Sequence, residues 1–138
     1  MTAPVLVGVG LALLIIVSAR SLRFHSDRSF YPTLITVIAS YYPLFAVMAG
    51  QGIVAEFAIA SAFIAIAVAG VLRWRWLVPV ALFLHGLFDV AHHTLLNRDG
   101  VPIWWPSFCA TVDIVLAISA VHYSAHLVSE KTTSCNRA

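Results

Sequence analysis

Eight ionisable side chains of this chain fall inside long apolar runs: Glu56, Asp89, Asp113, His85, His92, His93, His122 and His126. A charged group in hydrocarbon is costly unless it is paired, coordinated or neutralised, so each of these needs a reason. Helical residues advance by about 100° each, which gathers His85, Asp89, His92 and His93 into an arc of about 100°. Their spacing is i, i+4, i+7 and i+8, and the remaining positions between Phe83 and His93 are Leu, Phe, Val, Ala and Gly. One carboxylate and three imidazoles on one helix face form a metal-ligand arrangement. The same stripe also suits a proton relay or a hydrogen-bonded packing network.

The other histidines carry less. His122 and His126 form a separate i, i+4 pair on roughly the opposite face of their helix from Asp113. They read as interfacial side chains, with a haem or metal site shared between subunits as the sharper alternative. His25 lies in an arginine-rich loop and reads as solvated. Cys109 and Cys135 are expected on opposite sides of a membrane, so no internal disulfide is predicted. Cys109 reads as a small buried apolar residue rather than a ligand.

The elements that position these groups are set by composition. The chain has 138 residues, 61% hydrophobic and 10% charged, with a mean hydropathy of +0.93. A soluble domain would carry about a quarter charged residues, so a water-soluble enzyme, a nucleic-acid module and a disordered tail are excluded. A membrane-crossing helix needs about 20 apolar residues. The sequence predicts one all-α transmembrane domain over 1–138, with five spans at about 3–19, 30–49, 53–72, 77–96 and 107–128. A polar, frayed tail is predicted over 129–138.

Arginines fix the predicted orientation. Arg20, Arg23 and Arg28 follow the first span, Arg73 and Arg75 follow the third, and Lys131 and Arg137 follow the fifth. Basic loops face the cytoplasm, which places the N-terminus outside and the C-terminus inside, in a multi-pass protein of the plasma (inner) membrane. No basic residue precedes the first apolar run and arginines follow it, the reverse of a secretory leader. Trp74 and Trp76 mark the inner boundary, and Trp104 and Trp105 the outer one.

Depth decides which groups can meet. Glu56 is expected about one turn below the outer surface and Asp113 less than two turns deep. His92 and His93 fall in the outer half, with His85 near the middle. Glu56, Asp89, His92, His93, Asp113 and one tyrosine of the pair Tyr41 and Tyr42 are therefore expected to share a level. Pro43 should kink the second span. Asn97 to Pro106 should form a rigid turn holding Trp104 and Trp105 over the site, as a lid or as plain interfacial anchors.

The run His85-x-x-x-Asp89-x-x-His92-His93, followed by Gly100-x-Pro102, Pro106, Phe108-Cys109 and Asp113, resembles a small family of uncharacterised microbial membrane proteins. The resemblance covers the last two spans and implies a shared fold and polar site, but no reaction. A looser similarity links the chain to small helical membrane proteins of the sterol-isomerase and sigma-2-receptor type. Those also bury acidic and His side chains, with a different motif, and no residue role carries over from them.

Together these readings predict a membrane-embedded, metal-dependent enzyme, a hydrolase or oxidoreductase acting on a lipid or isoprenoid-like substrate. Glu56, His85, Asp89, His92, His93 and Asp113 are the candidate ligands for a divalent Zn, Fe or Mn. Among them Glu56, Asp89 and Asp113 are the candidate catalytic carboxylates, because a base must remain beside the metal. Tyr41, Tyr42, Trp104 and Trp105 are the candidate substrate contacts. Expected partners are membrane lipids and an apolar small molecule, with homo-oligomers compatible and nucleic acid excluded. Two alternatives use the same residues: a metal-free acid–base isomerase, cyclase or lipid-binding protein, and a proton- or metal-coupled carrier or haem-binding subunit. No phosphate-binding loop, nucleophile elbow or H-E-x-x-H helix is present.

Overall fold

The computed structural model describes residues 2–24, 27–96 and 100–135, with side chains described except at 93–96 and 125–135. The described residues are almost wholly helical and contain no strand. Six helical segments follow one another: α1 (Thr2–Ser21), α2 (Phe30–Ala39), α3 (Tyr41–Ala49), α4 (Ile53–Leu72), α5 (Leu77–Leu96) and α6 (Trp105–Cys135). Four stretches are long and apolar enough to cross a membrane: α1, the α2–α3 run from Phe30 to Ala49, α4, and α6 from Trp105 to Ser124. α5 adds a shorter apolar stretch, Leu77–His92. Leu6, Met48 and Val54 are at least 70% exposed, a surface suited to lipid contact and unfavourable in water.

Two boundaries differ from the sequence expectation. The second run is interrupted at Ser40, three residues before Pro43. Proline has no N–H for the helical ladder, while Ser40 keeps right-handed angles and its Oγ donates to the Thr36 carbonyl at 2.6 Å. The interruption therefore leaves α3 continuing from α2. The last helix extends to Cys135, past the expected end near Val128 and through the stretch expected to fray. No Gly or Pro occurs between Ser107 and Cys135 to stop it. Its 31 residues span about 46 Å at 1.5 Å per residue, longer than the roughly 30 Å of a hydrocarbon core.

Turn chemistry explains the short links. Gly50 and Gly52 hold φ of +67° and +62°, left-handed values that glycine adopts without a Cβ penalty. This lets α3 reverse into α4 within three residues. Pro106 occupies the first turn of α6, where its missing N–H costs nothing.

α5 packs along α6 and α4, α4 packs on α2 and α3, and α1 lies on the outer side of α6. A buried hydrogen bond of 2.9 Å between Tyr31 Oη and Ser119 Oγ ties α2 to α6. Apolar core positions such as Ile35, Leu82 and Leu116 are fully buried. At Gly8, a Cβ would stand 2.8 Å from the Phe108 carbonyl oxygen, so glycine is what allows α1 to lie against α6.

Candidate functional site

The α5 stripe faces inward. His85, Asp89 and His92 are each no more than 2% exposed, and α6 and α4 bring the equally buried Asp113 and Glu56 to them. Helix spacing alone aligns the α5 groups. The approach of α6 depends on Gly86, where a Cβ would meet the Asp113 Cβ at 3.1 Å and the Ala110 carbonyl oxygen at 3.2 Å.

The polar groups divide into two sets. In the first, His85 Nδ1 is hydrogen-bonded to Asp113 Oδ2 at 2.7 Å and lies 3.6 Å from Asp89 Oδ2. One ligand atom from each of His85, Asp89 and Asp113 falls within 4.8 Å of the others, so the three could hold a metal ion. In the second, His92 Nε2 pairs with Glu56 Oε1 at 3.0 Å. Glu56 and His92 thus stand beside the three-residue group as a pair of their own. The side chain of His93 lies outside the described residues, as do those of His126 and His25. His122 is exposed.

Electrostatics make the first set unusual. Both oxygens of Asp89 and Oδ1 of Asp113 are buried without a hydrogen-bond partner among the described residues. Asp89 Oδ2 has the His85 contact at 3.6 Å but no hydrogen bond, and burying carboxylate oxygens without hydrogen bonds is costly. A divalent cation is one partner these oxygens could take.

Aromatic rings wall the cluster. Tyr42 stacks on His92 with centroids 4.1 Å apart, Phe88 meets His92 edge-on at 5.3 Å, and Phe63 meets His85 edge-on at 4.7 Å. Tyr42 is therefore the member of the tyrosine pair that joins the site. The sequence reading passed over Phe63 and Phe88, since aromatics in apolar runs carry no polar signal. Helical spacing is the clue that finds them: Phe88 follows His85 by three residues, and Phe63 follows Glu56 by seven.

Tyr41, Trp104 and Trp105 go elsewhere. Tyr41 and Trp105 rings are 4.9 Å apart, and Trp104 and Trp105 are 5.5 Å apart. All three line an apolar groove of about 630 Å³ between α1, α2, α3 and α6. Its wall includes Leu11, Leu34, Ile38, Val112 and the buried free thiol of Cys109, one helical turn before Asp113. On another side of the cluster, a small pocket of about 10 Å³ is lined by Tyr42, Gln51, Gly100, Val101 and Glu56.

A helical protein with membrane-length apolar helices and a buried His/Asp/Asp group is the class these features define. The chain belongs to the family described as "Family of unknown function (DUF6010)", whose model matches residues 3–126. The match takes in α1 through most of α6, well beyond the last two spans. No curated protein and no solved structure matches the chain.

Proposed function

We propose that this protein is a five-span plasma-membrane enzyme, N-terminus outside, that uses a divalent cation held by His85, Asp89 and Asp113. Its substrate is an apolar, lipid- or isoprenoid-like molecule. The observation that carries the reading is the set of three buried carboxylate oxygens without hydrogen-bond partners beside His85. A cation of the Zn, Fe or Mn type supplies Lewis-acid polarisation of a substrate oxygen. Asp89 Oδ2, 3.6 Å from His85 Nδ1 and just beyond hydrogen-bond reach, is left to the cation. Asp113 fixes the His85 ring. The Glu56–His92 pair, outside this ligand set, stands against Tyr42 as the proton-transfer unit. The groove beneath Trp104 and Trp105 gives an apolar chain a lateral approach, with Cys109 as the layer between it and Asp113.

The 2.7 Å contact between His85 and Asp113 favours one second reading. It already satisfies one oxygen of the cluster without a cation, as metal-free acid–base catalysis requires. Calorimetric titration of chelator-treated protein with Zn²⁺, Mn²⁺ and Fe²⁺ separates the two. Saturable binding of one ion per chain, lost in Asp113→Ala, is expected. No binding of any of the three ions hands the site to the second reading.

A further inference from the structure

At the far end of α4, about 21 Å along the helix from Glu56, a second polar site is assembled from three distant parts of the chain. Arg28 comes from the α1–α2 link, Arg75 from the α4–α5 turn, and Tyr123 and Ser124 from α6, with Tyr31 of α2 beside them. They line a pocket of about 30 Å³. Gly70 forms part of its wall, and a Cβ there would stand 2.6 Å from Val78 Cγ2.

The charge in this pocket is unbalanced. Among the described residues every ion pair involves His85 or His92, so no carboxylate pairs with Arg28 or with the half-buried Arg75. Asp27 also lines the pocket. Its Oδ1 accepts the Ser29 N–H at 2.9 Å and the Ser29 hydroxyl at 2.7 Å. The backbone bond first, and the hydroxyl second, hold its carboxyl below the usual range. Among the described residues of the pocket wall, one carboxylate stands with two guanidiniums, and the Tyr123 phenol and Ser124 hydroxyl share the same lining. Guanidinium forks match phosphate oxygens in a way that ammonium groups do not.

The height of the pocket identifies the source of the anion. It lies where α4 ends and α5 begins, and Trp74 and Trp76, the sequence neighbours of Arg75, are exposed. Exposed tryptophans at span ends sit at headgroup level, and basic pockets between membrane helices bind anionic headgroups. We propose that Arg28, Arg75, Tyr123 and Ser124 form a subsite for the phosphate of an anionic membrane lipid. This site is independent of the cation cluster and does not rest on its assignment.

The test measures association of phosphatidylglycerol with the full chain in neutral detergent, with phosphatidylcholine and inorganic phosphate as competitors. Phosphatidylglycerol should outcompete phosphatidylcholine, and each of Arg28→Gln and Arg75→Gln should weaken its binding about fivefold. The double variant Arg20→Gln/Arg73→Gln removes the same charge outside the pocket and should bind as wild type does. Weakening by Arg20→Gln/Arg73→Gln equal to that of the double variant Arg28→Gln/Arg75→Gln would reduce the site to diffuse charge attraction and overturn the proposal. Displacement by inorganic phosphate at the same strength would overturn the lipid assignment in favour of a soluble anion. Should the arginine variants fail to insert, Tyr123→Phe/Ser124→Ala keeps every charge. Weaker binding there supports the subsite, and unchanged binding rejects it.

Discussion

His85 and Asp113 lie on different helices, yet Nδ1 of one is 2.7 Å from Oδ2 of the other, and the residue after His85 is a glycine packed against the Asp113 Cβ. The contact and the glycine are one device, because α6 reaches the imidazole only where α5 has no side chain. Gly86→Ala should therefore weaken divalent-cation binding about tenfold by displacing one partner. Gly86→Val should destabilise the fold by about 1–3 kcal/mol through overpacking. Cation titration and thermal unfolding in detergent read the two effects separately.

The Glu56–His92 pair should behave differently from the three-residue group. His92→Ala removes a buried polar contact of 3.0 Å and should cost about 1–2 kcal/mol in a membrane setting, measured by unfolding in mixed micelles. Its cation content should stay at the wild-type level. Loss of the ion in this variant would make the pair part of the ligand set.

Tyr42 tests the aromatic wall. Tyr42→Phe keeps the ring that stacks on His92 at 4.1 Å and should stay within about 1 kcal/mol of wild type. Tyr42→Ala empties a fully enclosed position and should cost about 3–5 kcal/mol. Equal losses in the two variants would transfer the role from the ring to the hydroxyl.

Orientation has a direct check. With five spans and basic residues in the loops after the first and third, a reporter fused after Ala138 should be active only in the cytoplasm. A reporter fused before Met1 should be active only outside. A C-terminal signal on the outer side would contradict the five-span reading.

The α5 stripe was legible in the sequence because i, i+4 and i+7 spacing fixes one face whatever the neighbours do. The partners were not. Glu56 and Asp113 sit at comparable depths, and which histidine each one meets depends on how α4 and α6 are rotated and offset against α5. That offset is set by close approaches such as the one at Gly86. Tyr41 and Tyr42 are adjacent, about 100° apart on the helix, and only packing sends Tyr42 to His92 and Tyr41 to Trp105. The end of α6 was missed for a related reason: polar residues after Val128 signal departure from lipid, and without Gly or Pro they do not end a helix.

Elemental analysis of the detergent-purified protein beside Asp89→Ala tests the central claim most directly. The account predicts one equivalent of zinc, iron or manganese per chain in the wild type and none in the variant, with both inserted equally well. A metal-free wild type, or a variant that keeps its ion, would contradict the assignment of His85, Asp89 and Asp113 as a cation site.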